Sequence, residues 1–193
     1  MIDYPLPLLG FSAFSGTGKT TLLTRLLPLL KAEGLRIGVV KHAHNQFEID
    51  HPQKDSYELR QAGADQMLVA SRQRTAWVAE FRGNHEEPSL QQTLSALHPE
   101  SLDLVLVEGF KREAFTKIEL HRPSLGKPLL FPDDPNIIAI ASDQPIPMSA
   151  SRLPLLDLNR PGDIVVFILE HLLPNGEKRA DDQQHHSYRG QLR

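Results

Sequence analysis

Short apolar runs recur along the chain, without the alternation of apolar and polar residues that a half-exposed strand shows. They cover residues 8–11, 37–40, 104–107, 137–141 and 153–158. Continuous runs of this length are typical of strands buried on both faces, as in a parallel sheet covered by helices. They predict the strands of a mostly parallel sheet.

Helical patterns separate these runs. Leucines recur along one stripe over residues 20–33 and predict a first helix, which we expect to kink or restart at Pro28. Further helices are predicted over residues 54–63, 90–97 and 162–173. Strands that alternate with helices indicate right-handed crossovers. The predicted fold class is therefore α/β, a doubly wound sheet with helices on both faces.

Two stretches break this rhythm. Residues 67–70 and 75–79 flank a short polar turn and predict an antiparallel hairpin. Residues 116–121 predict another strand, with Ile118 and Leu120 on one face. We expect both stretches to extend the edge of the sheet, where a second subunit could pair strand to strand. An ordinary charged edge is the alternative.

Length and composition add limits to this picture. The 193 residues suit one domain over residues 1–174, followed by a polar tail over 175–193 that we expect to be flexible. The net charge of −3 gives no sign of a nucleic-acid or membrane partner, and the lack of cysteine excludes disulfides and thiolate chemistry. No apolar run approaches the roughly 20 residues of a membrane span, and no secretory signal is evident. A cytoplasmic protein is expected.

The most specific motif lies between the first predicted strand and the first predicted helix. Residues 13–20 fit the phosphate-binding pattern [AG]-x-x-x-x-G-K-[ST], with Ala13 as a tolerated variant of the usual glycine. Successive backbone N–H groups and the helix N-terminus would hold an anion, Lys19 would reach the β- and γ-phosphates, and Thr20 would bind Mg²⁺. A glycine-rich turn that only caps a helix is the alternative. The predicted nucleotide ligands are Ser15, Gly16, Thr17, Gly18, Lys19, Thr20 and Thr21.

A carboxylate follows the apolar run 104–107. Glu108 and Gly109 would lie at the carboxyl edge of the sheet, where open α/β sheets bind ligands. Glu108 could bind Mg²⁺ through water or orient the attacking water. A solvated carboxylate at a strand end is the alternative.

A second polar cluster follows the run 37–40. Lys41 could bind phosphate, and Asp50 could contact the metal or the attacking water. His42 and His44, with His51 nearby, could form a zinc site, but contact with phosphate or a partner is favoured because cysteines are absent and Mg²⁺ is expected. A partly exposed loop of ordinary polar residues is the alternative.

The base-specifying residue is less defined. The common guanine-binding pattern Asn-Lys-x-Asp is absent, but Asp143 ends a buried run and could accept hydrogen bonds from guanine, which would select GTP. Asp143 could equally begin a turn.

Four segments together resemble the MobB family of molybdopterin-guanine dinucleotide biosynthesis adaptor proteins. They are residues 14–23, 41–44, 54–64 and 104–111, and the resemblance extends over about residues 6–173. It implies a P-loop fold, GTP and Mg²⁺ as ligands, weak GTPase activity, a homodimer built through extended sheets, and association with MobA, the partner that attaches GMP to molybdopterin. It supports residues 16–21 as phosphate ligands and Glu108 as a further site residue, and it extends less directly to Lys41, Asp50 and Asp143.

The leading hypothesis is a GTP-binding adaptor with slow hydrolysis. No arginine finger is evident, and its absence typically slows hydrolysis by ~10³-fold or more. Arg72 and Arg74 in the hairpin turn could supply one across a dimer. The rivals are a P-loop small-molecule kinase or other P-loop NTPase, and a module that binds no nucleotide.

Overall fold

The computed structural model describes residues 2–43, 47–83, 86–146 and 152–173. The chain divides into two compact units, one formed by Met1–His42 with Leu90–Arg193 and the other by Ala43–Ser89. The tail predicted over residues 175–193 lies outside the described residues.

The first unit contains six strands and three of the four α-helices found in the described ranges. The second contains one helix and a hairpin. In chain order the elements are β1 (Leu8–Ser12), α1 (Lys19–Ala32), β2 (Ile37–Lys41), α2 (Asp55–Gln61), β3 (Gln66–Ala70), β4 (Thr75–Ala79), α3 (Leu90–Leu94), β5 (Leu104–Glu108), β6 (Lys117–His121), β7 (Ile137–Ser142), β8 (Leu155–Asp157) and α4 (Pro161–Leu172).

The sheet of the first unit has the strand order β2-β5-β1-β6-β7-β8, and each neighbouring pair is parallel. The prediction of a mostly parallel α/β sheet is confirmed. Because β1 lies between β5 and β6, the segments that follow these three strands meet at the carboxyl edge of the sheet. The strand order therefore places the loops that follow β1, β5 and β6 side by side, where together they can form a site.

Both faces of the sheet are covered, as the continuous apolar runs predict. Alternate side chains of β5 face opposite ways, so that Leu104 and Leu106 join the core under α1 and α4, while Val105 and Val107 pack with α3. Leucines of α1 supply much of the first core. The helix continues through Pro28 as one element and does not restart there.

The strand predicted over residues 116–121 does not lie at an edge, and that prediction was wrong. It forms β6, between β1 and β7. Ile118 and Leu120 enter the core, as expected, but the alternate residues Lys117, Glu119 and His121 are buried as well. The segments before and after β6 supply polar partners for Lys117 and Glu119, and thus polar alternation here does not indicate solvent.

The second unit contains α2 and the predicted hairpin, which is confirmed as a hairpin. Its two strands form an antiparallel sheet of their own, so the expectation that they extend the edge of the parallel sheet was wrong. Arg60 of α2 is buried and pairs with Glu80 just after β4 and with Glu48. One face of the hairpin leaves Leu68 and its cross-strand neighbour Trp77 exposed, at 64% and 54% of their surface. In the part of the chain that the structure describes, no helix has the length and apolar character needed to cross a membrane.

Candidate functional site

The phosphate-binding motif forms the turn between β1 and α1. Gly16 and Gly18 have φ values of +83° and +97°, which side chains rarely tolerate. Gly18 is the N-cap of α1 and no side chain caps this end of the helix. The first N–H groups of an α-helix have no partner within the helix. They are therefore available to an anion, together with the positive end of the helix dipole.

Thr17 closes the loop from within. Its hydroxyl donates to the carbonyl oxygen of Phe14 at 2.8 Å, and its N–H approaches the same oxygen at 3.4 Å. The side chain is almost completely buried. Its hydroxyl consequently shapes the loop and is not turned toward a ligand.

Lys19 lies in a group of like charges. Burial lowers its pKa, the positive charges of Lys111 and Lys41 lower it further, and the carboxylate of Glu108 opposes the shift. Its Nζ donates to the carbonyl oxygen of Ala13 at 3.4 Å. Three ammonium groups around one carboxylate make a site that attracts an anion.

Glu108 is fixed at the end of β5 by its pairing with β2. The parallel register places it beside Lys41, whose Nζ lies 3.4 Å from Glu108 Oε2. The N–H of His42 donates to the carbonyl oxygen of Glu108 at 2.8 Å. The next residue, Gly109 (φ +104°), lies so close to His42 that a Cβ at this position would be 2.6 Å from His42 Cβ. The Phe110 ring centre is 4.7 Å from that of His42.

Arg122 joins the loop to Asp143, a connection that the sequence-based interpretation missed. Its Nε donates to the carbonyl oxygen of Thr17 at 2.8 Å, and its Nη1 donates to Asp143 Oδ2 at 2.6 Å. Asp143 Oδ1 is buried and has no hydrogen-bond partner among the described residues. An arginine directly after a strand is the available signal, but the pattern of this strand predicts an edge, where Arg122 would not face the loop.

A cavity of 290 Å³ lies at the carboxyl ends of β7 and β8. Asp143 and Asp157 are among the residues that line it, together with the apolar residues Ile146 and Leu155. The lining thus contains both acidic and apolar residues, as small-ligand sites commonly do.

Asp50 belongs to the second unit and is described with it. A hydrogen bond from Ser56 lowers the pKa of Asp50, and the N–H of His51 adds a second bond to Oδ1 at 3.0 Å. In the described ranges no three His, Asp or Glu side chains are grouped as a metal cage. His44 lies outside those ranges, so the zinc alternative stays a prediction.

The structure therefore brings part of the predicted site together within the first unit. The loop over residues 15–21, Lys41 and Glu108 meet at the carboxyl edge of the sheet, and Asp143 joins them through Arg122. Mg²⁺ typically takes one or two protein ligands, with several waters and substrate phosphates. Thr20 at the start of α1 and Glu108 at the end of β5 are residues of the required kind.

Comparison with known proteins gives a consistent result. The family model "MobB: Molybdopterin guanine dinucleotide synthesis protein B" matches residues 8–143. The molybdopterin-guanine dinucleotide biosynthesis adapter protein of Escherichia coli is 48% identical over 162 residues, 83% of this chain and 92% of that protein. The Haemophilus influenzae protein of the same name is 40% identical over 163 residues, 84% of this chain and 88% of that protein. A crystal structure of Bacillus subtilis MobB aligns with a TM-score of 0.64 at 26% identity, covering 86% of this chain and 98% of the other.

Proposed function

This chain belongs to the MobB family of molybdopterin guanine dinucleotide synthesis proteins, and from that premise we propose that it is a GTP-binding adaptor with weak GTPase activity. It supports the attachment of GMP to molybdopterin, together with the partner enzyme MobA. The observation that carries the nucleotide part is the uncapped phosphate loop beside three lysines and one carboxylate.

The phosphates would bind at the main chain of residues 15–21. Lys19 and Lys41 supply positive charge for the outer phosphates, and Lys19 is placed by the carbonyl oxygen of Ala13. Ion pairing holds Lys41 beside Glu108. Phosphate bound at the loop would offset the mutual repulsion of these ammonium groups.

Mg²⁺ would be held by Thr20 and Glu108, with water and phosphate oxygens as its other ligands. When bound, it neutralises charge that develops on the phosphates during transfer. Glu108 would orient water on the metal side, and Asp50 stays the sequence-based candidate for a second catalytic carboxylate.

Asp143 and the cavity beside it would hold the base. A carboxylate can accept hydrogen bonds from the ring N–H and the amino group of guanine, which adenine cannot supply in that pattern. The apolar surface from Ile146 and Leu155 would contact the base. This arrangement favours GTP over ATP.

The adaptor role requires surfaces for other proteins. The exposed Leu68 and Trp77 on one face of the hairpin are large apolar groups that association would cover. We assign this face to a homodimer formed through the hairpin strands. MobA would then bind to this homodimer while the homodimer holds the nucleotide.

Calorimetric titration of GTP, GDP and ATP with Mg²⁺ tests the proposal. Wild-type protein should bind GTP more tightly than ATP, and Lys19→Ala should lose most of that affinity. Lys31→Ala, an exposed lysine at the other end of α1, is the matched control and should bind as wild type does. Equal affinity of Lys19→Ala and wild type would contradict the nucleotide site, and turnover of many GTP per second without a partner would contradict the adaptor role.

A further inference from the structure

Arg122 lies directly after β6, and its guanidinium lies between the phosphate loop and the end of β7. We propose that Arg122 is a positioning residue of the nucleotide site. It fixes the main chain at Thr17 in the shape that binds phosphate, and Asp143 acts on phosphate binding through it. The inference rests on the proposed nucleotide site, and it gives Asp143 an effect on the phosphates besides its contact with the base.

The first step concerns the peptide unit between Thr17 and Gly18. Nε of Arg122 donates to the Thr17 carbonyl oxygen at 2.8 Å. Because a trans peptide is planar, its C=O and N–H point in opposite directions. Fixing the carbonyl toward Arg122 therefore fixes the Gly18 N–H away from it. That is the orientation that an anion on the other side of the loop requires.

The second step is the tightness of the loop around this peptide. The hydroxyl and the N–H of Thr17 both approach the Phe14 carbonyl oxygen, so Arg122 supplies the partner for the remaining main-chain group of Thr17. Nη2 of Arg122 lies 3.6 Å from the position that a Cβ on Gly18 would occupy. The guanidinium is consequently packed against the loop backbone, and a shift of either one displaces the other.

The third step is the anchor of Arg122 itself. Nη1 donates to Asp143 Oδ2 at 2.6 Å, and the Asp143 side chain is only 15% exposed. Asp143 directly follows β7 and is itself held by the sheet. A guanidinium presents several N–H donors in a rigid fork, so one side chain can bind a carbonyl and a carboxylate at fixed angles. A lysine ammonium at this position could keep one of these contacts with the proper geometry, not both.

A ligand that has phosphates but no base separates the positioning role of Arg122 and Asp143 from recognition of the base by Asp143. Inorganic tripolyphosphate has no base for Asp143 to contact, and at the proposed site it would compete with a fluorescent GTP analogue. For Arg122→Ala we expect about tenfold weaker binding of tripolyphosphate and of GTP, the loss that corresponds to one charged hydrogen bond. Asp143→Asn should also weaken tripolyphosphate binding, and the double variant should lose less than the product of the two single effects. Arg122→Lys should fall between wild type and Arg122→Ala.

Arg160→Ala is the matched control, since Arg160 forms an exposed pair with Asp163 on α4 and should leave both affinities unchanged. Thermal unfolding of each variant separates a loss of stability from a loss of binding, and Arg122→Lys and Asp143→Asn keep the test open if Arg122→Ala does not fold. Wild-type affinity for tripolyphosphate in folded Arg122→Lys and Asp143→Asn would overturn the inference. So would an Asp143→Asn variant that changes the preference for GTP over ATP and leaves tripolyphosphate binding intact. Wild-type protein that binds neither ligand would contradict the proposed function itself.

Discussion

Replacing Lys117 with methionine tests how much a buried ion pair within the sheet contributes to the stability of the fold. Lys117 lies in the middle of the sheet, and its side chain is 2% exposed. Its Nζ donates to the carbonyl oxygens of Lys111 at 3.1 Å and Glu113 at 2.7 Å, and to Asp134 Oδ2 at 2.9 Å. It also lies 4.9 Å from the ring centre of Phe115. Methionine has a similar length and can keep the packing, but it has no donor.

The expected cost follows from the groups left behind. Removing one partner of a buried ion pair costs about 3–5 kcal/mol, because the other charge remains without compensation. Asp134 is one-fifth exposed and keeps two hydrogen bonds from Asn136, which places the expected loss near the lower limit, at about 3 kcal/mol. For a chain of this size that corresponds to a decrease in Tm of about 6–12 °C.

The loss should also depend on pH. Burial acts to raise the pKa of Asp134, but hydrogen bonds from Lys117 and Asn136 outweigh it and hold the pKa below its usual value of 3.8. A carboxyl group whose pKa is depressed by folding stabilises the fold above its usual pKa, and this contribution is lost as the pH falls through the folded-state pKa. The difference between wild type and Lys117→Met should therefore shrink below pH 3.8.

Urea unfolding followed by circular dichroism measures this difference at pH 7 and at acidic pH. Lys31→Met, which changes an exposed lysine of α1, is the control and should stay within about 0.5 kcal/mol of wild type. Asp134→Asn combined with Lys117→Met should cost less than the two changes added together, since both remove the same pair. A loss below about 1 kcal/mol for Lys117→Met, or simple additivity in the double variant, would refute the reasoning.

Three further predictions concern residues around the site and the core. Affinity for tripolyphosphate should fall as the pH rises through the lowered pKa of Lys19, because bound phosphate requires the ammonium form. Lys19→Arg should remove this dependence, and identical pH profiles of wild type and Lys19→Arg would contradict the prediction. Gly109→Ala should lower the free energy of unfolding in urea by more than about 2 kcal/mol, because its Cβ would collide with His42, whereas Gly34→Ala, with a similar φ and open space, should cost only about 1 kcal/mol. Burial raises the pKa of Glu119 against two opposing main-chain hydrogen bonds, so ionisation should lower stability as the pH rises from 4.5 to the raised value. Urea titrations across that range should show a flatter profile for Glu119→Gln, and parallel profiles would exclude this explanation.

The elements that could be predicted from sequence are those whose patterns are local. The phosphate loop needs only a strand, two glycines and a helix in succession, and the continuous run 104–107 identifies both a buried strand and the carboxylate of Glu108 that ends it. The hairpin is likewise confirmed, since its pattern lies within a few residues of one turn. Each signal is contained in a segment of about ten residues.

The position of β6 could not be predicted in this way. Lys117, Glu119 and His121 alternate with Ile118 and Leu120, which is the pattern of a half-exposed strand. Their burial depends on partners beyond the strand. Main-chain N–H groups of residues 130 and 131 bind Glu119 at 2.8 and 2.9 Å. Arg122 was missed for the same reason, because its importance follows from the order of the strands.

The charges around the loop argue against a purely structural turn. Arg122 and Lys41 each have a carboxylate partner, in Asp143 and Glu108. Lys19 makes no ion pair within the described ranges, although burial and neighbouring lysines already disfavour its charged form. A turn that only capped a helix would not need a partly buried ammonium group directed at its own main chain. The unbalanced positive charge has a physical reason once an anion binds at the loop, because bound phosphate supplies the negative charge that the fold itself leaves out.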